Sequence, residues 1–193
     1  RFYLTCRCVM EEFNSVQVRD EAVMQVKADP GKTAVDVGAG EGFITEGLLN
    51  AGCNVIAVDS SSEMVSILKQ RFGHLREVRV VQSPDHEIKL DDEIADYVFA
   101  HLRLSVSPDP AAFICGIKRI LKPGGKLAVT DLLFHKHADV TEKYGFRNNG
   151  FNLPDLYEWF VLAGVKNISI ETAGSVQLEG GIKLDMFLAY GEK

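Results

Sequence analysis

Apolar and polar positions along the 193 residues switch repeatedly between two patterns, short apolar runs that suit buried strands and longer stretches with helical spacing. From the amino end, Val9, Phe13, Val16 and Met24 are spaced for an amphipathic helix over Val9–Lys27, ended by Asp29-Pro30-Gly31. Ala34–Val37 is a short apolar run leading into glycines, suited to a buried parallel strand, and Phe43–Asn50 reads as a helix closed by Ala51-Gly52. A strand at Asn54–Val58, a helix over Ser62–Phe72 and a strand at Val78–Val81 follow. Next come a strand at Ile94–Ala100, a helix over Asp109–Leu121, a turn at Lys122–Gly125 and a strand at Lys126–Thr130. From Leu132 to Phe151 the periodicity fades, which predicts a long loop with room for one short helix; long loops in compact domains often serve function. Leu153–Ala163 has helical spacing stopped by Gly164, and strands are predicted at Lys166–Glu171 and Ile182–Tyr190.

Seven strands with helices between the first five predict one open, doubly wound α/β sheet whose parallel strands are joined by right-handed crossovers. The last two strands have no helix between them and should pair antiparallel, with Thr172–Gly181 as a long connection. A ligand in such a sheet lies outside the carboxyl ends of the strands, so each loop that follows a strand is nominated as part of a site.

Composition narrows the partners. The formal charge is −6, which disfavours nucleic acid because phosphate binding needs clustered Lys and Arg. No stretch approaches the roughly 20 apolar residues that span a bilayer, and the amino-terminal segment has acidic residues where a signal peptide would need an uninterrupted apolar run. A soluble, cytoplasmic protein acting on a small molecule is the expectation. The chain starts with Arg1 rather than Met, which leaves open an upstream segment that has been removed. Cys6, Cys8, Cys53 and Cys115 do not form two pairs with zinc spacing and read as reduced thiols, Cys6 and Cys8 keeping a metal or metalloid role open.

The chemistry concentrates in Val35-Asp36-Val37-Gly38-Ala39-Gly40-Glu41-Gly42-Phe43, where three alternate glycines let backbone approach a ligand as a strand turns into a helix. A dinucleotide fingerprint would need its third glycine where Phe43 stands, so a pyrophosphate fits poorly. A smaller ligand fits better: backbone N–H groups can meet a carboxylate or lie beneath a ribose, and Asp36, an acid on an apolar strand, can hold an ammonium. Asp59 ends the neighbouring strand, where an acid accepts both hydroxyls of a ribose or, alternatively, caps the turn through Ser60-Ser61-Ser62. Met64 is either core or packed against a ligand's ring.

With Leu121–Asp131 (LKPGGKLAVTD), these motifs give a sequence that resembles class I S-adenosylmethionine-dependent methyltransferases, particularly the small-molecule group that includes the ubiquinone/menaquinone-biosynthesis enzymes. The resemblance covers positions 30–131, with an echo at Leu153–Ile170. It implies a single Rossmann-like domain over 1–193, mostly parallel with an antiparallel last strand, with 1–29 as a helical lid and 132–151 as a substrate-side loop. It implies that Asp36, Gly38, Ala39, Gly40, Gly42 and Phe43 surround the methionine part of S-adenosylmethionine. Asp59 would hold the ribose, Ser60 and Met64 would flank the adenosine, and Asp85 and His86 would lie near the adenine. The usual Gly-Asp-Ala-like turn stands here as Ser83-Pro84-Asp85-His86, so the register there can slip by one.

His101 and Leu102 follow the fourth strand, where the family contacts the cofactor's methionine end and the acceptor. An ordinary pKa near 6.5 suits His101 as a general base; a structural or cofactor-contacting histidine is the other reading. His135 and His137 lie in the loop after the fifth strand without an obvious third metal ligand; with Tyr144, Phe146 and Arg147 they line the substrate pocket or are surface. The expected activity is methyl transfer to O, N or C of a small molecule, with no metal. A non-catalytic cofactor-binding scaffold and a nicotinamide-dependent oxidoreductase are the alternatives, Phe43 counting against the latter.

Overall fold

The computed structural model describes residues 11–84 and 87–193. A short helical turn, Glu11–Phe13, precedes helix α1, which starts at Val16 rather than Val9 because the Ser15 side chain accepts from the Val18 N–H. Helix α1 ends at Val26, where Lys27 takes a left-handed conformation with φ 52°. Then follow β1 (Thr33–Val37), α2 (Phe43–Asn50), β2 (Asn54–Asp59), α3 (Ser62–Phe72), β3 (Val78–Gln82) and β4 (Ala95–His101). Helix α4 (Pro110–Arg119) is capped by Asp109. It leads to β5 (Leu121–Leu132), α5 (Ala138–Tyr144), α6 (Leu153–Leu162), β6 (Lys166–Gln177) and β7 (Lys183–Glu192).

The strands form one seven-stranded sheet in the order β3-β2-β1-β4-β5-β7-β6. Strands β1 to β5 run parallel to one another, and β7 is inserted antiparallel between β5 and β6. The expected architecture and antiparallel last strand are present, with three local corrections. First, among the described residues β3 and β4 are joined by a loop, not a helix. Its turns are held by Ser83, whose Oγ accepts from the Lys89 N–H and donates to Glu87, while the Arg119 guanidinium donates to the carbonyls of Ile88 and Leu90. Those bonds satisfy the backbone that a helix would have satisfied internally.

Second, Lys122–Gly125 is not a turn before β5 but a bulge within it: Ala95 pairs with Leu121 and Tyr97 with Lys126, and the bulge is held where the Gly124 N–H donates to Lys193. Third, β6 continues past Glu171 through a one-residue bulge, so the expected long connection shrinks to a turn over 178–182 in which the Leu178 N–H donates to Ile182. Ala173 and Val176 are buried, and their apolar contacts keep this glycine-containing segment on the sheet.

The two faces of the sheet bury separate cores. Phe13, Val18, Ala22, Leu48 and Phe99 fill one; Val35, Val98, Ile114, Ile117 and Phe160 fill the other. Alternation along β4 assigns Phe99 to the first and Val98 and Ala100 to the second. Among the described residues no helix is long and apolar enough to cross a membrane.

Candidate active site at the carboxyl ends of the strands

Between β1 and α2 the chain passes through Gly38, Gly40 and Gly42 at φ 71°, 54° and 94°, a backbone that side-chain-bearing residues rarely adopt. The N–H groups of Gly38 and Ala39 both donate to Val58 (2.8 and 2.9 Å), tying the loop to β2. Asp59, at the end of β2 and buried, completes the tie: Oδ2 accepts from the Gly40 N–H at 2.8 Å and Oδ1 from the Ser61 N–H at 2.9 Å. The ribose candidate and the turn cap are therefore one residue, and its carboxylate is also the strut of the glycine loop.

The three glycines face different surroundings. A Cβ on Gly40 would meet nothing within 4 Å, one on Gly42 would stand 2.3 Å from Cε2 of Phe72, and one on Gly38 would stand 2.2 Å from Cδ of Arg103. Gly40 alone opens onto space. Ala39 is buried with Ala57, Leu68 and Phe72, so it serves the core with its side chain. Ser60 is exposed, and Met64 is half-buried on the first turn of α3.

Asp36 is 1% exposed and accepts from the Thr45 hydroxyl at 2.7 Å. Burial pushes its pKa up to about 7, with a push from Asp59, while Thr45 and Arg103 pull the other way. His101, half-buried at the end of β4, shares a 2.7 Å bond between Nδ1 and the Thr130 hydroxyl, and its ring lies 5.6 Å from Phe43. Burial lowers its pKa to about 4, opposed by the Phe13 carbonyl. His101 is thus a neutral ring near pH 7. Leu102 holds a strained left-handed backbone at φ 53° and is fully buried. Asp85, His86, Cys6 and Cys8 lie outside the described residues.

Residues 35–129 match the protein family described as a methyltransferase domain. Through that segment, just under half of its length, the chain is similar to methyltransferases. It is 28% identical to a demethylmenaquinone methyltransferase of Staphylococcus carnosus, the match covering 88% of this chain and 79% of that one. It is 30% identical to a ubiquinone biosynthesis O-methyltransferase of Hydrogenovibrio crunogenus over 56% of this chain and 46% of that one. Its match to a 37.1 kDa transposon protein of Streptomyces fradiae, at 34% identity, covers 53% of this chain and 30% of that one. The chain therefore spans less than half the length of two of these three relatives. A solved S-adenosylmethionine-dependent methyltransferase of Aquifex aeolicus has the same fold, with a TM-score of 0.70 at 20% identity over 95% of this chain and 96% of that one.

Around the methyltransferase segment, tertiary structure adds residues that spacing did not nominate. Asp131, at the end of β5 and fully buried, accepts from the Ser105 N–H at 3.0 Å, from the Ser105 hydroxyl and from the Leu132 N–H at 2.8 Å. Burial raises its pKa. It anchors the loop after β4, which carries Arg103. Its only sequence signal was an acid closing an apolar strand, as at Asp36 and Asp59. A cavity of about 800 Å³ opens beside that loop, lined by Ser60, Pro84, Ile88, Arg103 and Arg147 among others.

Phe13, whose carbonyl faces His101, packs edge-on against Tyr144 and Phe146, with ring centroids 4.9 and 5.4 Å apart, and the Tyr144 hydroxyl donates to Glu12. The amino-terminal turn and the segment after β5 are thereby joined. His135 is buried, accepts at Nδ1 from the His137 N–H at 3.3 Å, and lies with its ring 6.0 Å from that of His137. Among the described residues no three His, Cys, Asp or Glu side chains gather to hold a metal.

Proposed function

We propose that this chain transfers a methyl group from S-adenosylmethionine to O, N or C of a small-molecule acceptor. The observation that carries the reading is the glycine loop itself, three left-handed glycines tied down by Asp59, with open space over Gly40 alone. The donor set suits this cofactor. Asp59 retains acceptor lone pairs beyond those used by Gly40 and Ser61, which suits ribose hydroxyls. Asp36 offers a carboxyl to an ammonium group, and the cavity that begins at Ser60 has room for an adenosine. The cofactor supplies an electrophilic methyl group, so the protein's task is to bind, align and keep out water.

In this reading Asp36 and Asp59 orient the two ends of the ligand. His101, neutral, forms one wall and hydrogen-bonds rather than serving as a strong base. Phe13, Tyr144 and Phe146 roof the acceptor side, giving the amino-terminal segment and the 132–151 loop the roles of lid and substrate loop within a single domain. The acidic chain as a whole favours a small acceptor over nucleic acid.

The test is calorimetric titration with S-adenosylhomocysteine and NADH, followed by transfer of labelled methyl across a panel of small acceptors. Wild type should bind S-adenosylhomocysteine, and Asp59→Asn should bind it at least 10-fold more weakly, because one charged acceptor is lost from a buried pair of bonds. Tight NADH binding with no affinity for S-adenosylhomocysteine would overturn the reading. Binding without turnover on any acceptor would favour a scaffold role.

A further inference from the structure

The loop after β4 brings one cation to the cleft that neither the glycine motif nor Asp59 accounts for. Arg103 is half-buried, and its side chain crosses the glycine loop: a Cβ on Gly38 would stand 2.2 Å from its Cδ and 2.4 Å from its Nε. The same guanidinium acts electrostatically on Asp36. It also lines the cavity that begins at Ser60. Three parts of the site, the first glycine, the buried acid and the cavity wall, therefore meet at one side chain.

The backbone beneath Arg103 is fixed on both sides. The Leu102 N–H donates to Thr130 at 2.8 Å, and Ser105 donates both its N–H and its hydroxyl to Asp131. A ligand entering the cradle can therefore shift the Arg103 side chain but not the loop that carries it. The absence of a side chain at 38 is required by this crossing, whatever else the glycine provides.

Asp36 and Arg103, close enough to act on each other, present a carboxyl and a guanidinium to one region of the site. An α-amino acid carries the complementary ammonium and carboxylate on one carbon. The guanidinium is planar, permanently charged and suited to two parallel bonds with a carboxylate, which a lysine ammonium cannot reproduce. We propose that Arg103 binds the carboxylate of the ligand's amino-acid moiety and so positions the methionine end of the cofactor, while Asp36 takes the ammonium. This assignment rests on the methyltransferase reading above. It makes Arg103 a positioning residue that selects cofactor forms with an intact carboxylate.

The experiment is calorimetric titration of wild type, Arg103→Gln and Arg103→Lys with two probes, S-adenosylhomocysteine and its decarboxylated analogue, which keeps the ammonium. Removing the guanidinium should weaken S-adenosylhomocysteine roughly 10- to 100-fold, the range for hydrogen bonds to a charged group. Affinity for the decarboxylated analogue should stay within about 2-fold, because the lost partner has nothing to contact there. Arg103→Lys should recover part of the loss, and added salt should weaken S-adenosylhomocysteine more in wild type than in Arg103→Gln. A role confined to folding would weaken both probes alike and would overturn the proposal. Equal or tighter binding of S-adenosylhomocysteine by Arg103→Gln would also overturn it, identifying the side chain as a plug of the empty cradle. Failure of wild type to bind either probe would instead remove the methyltransferase reading itself.

Discussion

Replacing Gly40 and Gly42 in turn by alanine separates what the glycine loop does for a ligand from what it does for the fold. Both positions have left-handed backbones, which cost an alanine about 1–2 kcal/mol. At Gly40 the added methyl meets nothing within 4 Å, so that backbone term is the whole stability effect. For a domain of this size it lowers Tm by roughly 2–8 °C. At Gly42 the methyl would stand 2.3 Å from Cε2 of Phe72, itself buried against Leu68 and Ala57, so overpacking adds about 1–3 kcal/mol. The total of about 2–5 kcal/mol corresponds to a Tm lower by roughly 4–20 °C. Binding should rank the other way: Gly40→Ala fills the open face of the cradle and should weaken S-adenosylhomocysteine by at least 10-fold, about 1.4 kcal/mol. Thermal unfolding and calorimetry on the same samples measure both. If Gly40→Ala bound S-adenosylhomocysteine as wild type does, the open space over Gly40 would not be the ligand's place and the reasoning would fail.

Two further outcomes follow from the buried groups. His101, near 4 in the fold against 6.5 ordinarily, contributes stability that is present above pH 6.5 and lost as pH falls towards 4. Asp36, near 7 against 3.8, contributes stability that is present below pH 3.8 and lost as pH rises through 7. Between pH 4 and 6.5 the slopes oppose, each at most about 1.4 kcal/mol per pH unit. His101→Gln should leave stability falling with rising pH, and Asp36→Asn should leave it rising, in urea unfolding at pH 4.5, 5.5 and 6.5; slopes of one sign in both variants would contradict the assignment. Phe13→Ala removes a fully buried ring from the roof and should cost about 3–5 kcal/mol. A loss below about 1 kcal/mol in the same assay would mean that the amino-terminal turn is not held by that ring.

The alternation of apolar runs with helical spacing made most of the sheet readable in advance, and the bounds of α2 and α3 coincide with the stretches read from spacing. The departures have a common cause. The β3–β4 connection, the bulge at Lys122–Gly125 and the extension of β6 are held by partners distant in the chain, namely Arg119, Lys193 and β7. No local pattern reports such partners. Within the site, Asp36, Asp59 and the glycines announce themselves because acids at the ends of apolar strands and alternate glycines are costly without a purpose. Arg103 and Thr45 carry no such signature; an arginine in a loop and a threonine in a helix are ordinary until the fold brings them to the cleft.

The amino-acid sequence by itself therefore determined the order of elements, the glycine loop and the two acids beside it, because period, turn chemistry and misplaced charge are properties of neighbouring residues. Only the tertiary structure decided which glycine opens onto space, that Asp59 braces the loop, that His101 is held neutral and that Arg103 crosses Gly38. Each of those depends on burial and on distances of a few ångströms between residues far apart in the chain, and such distances exist only after the sheet has closed.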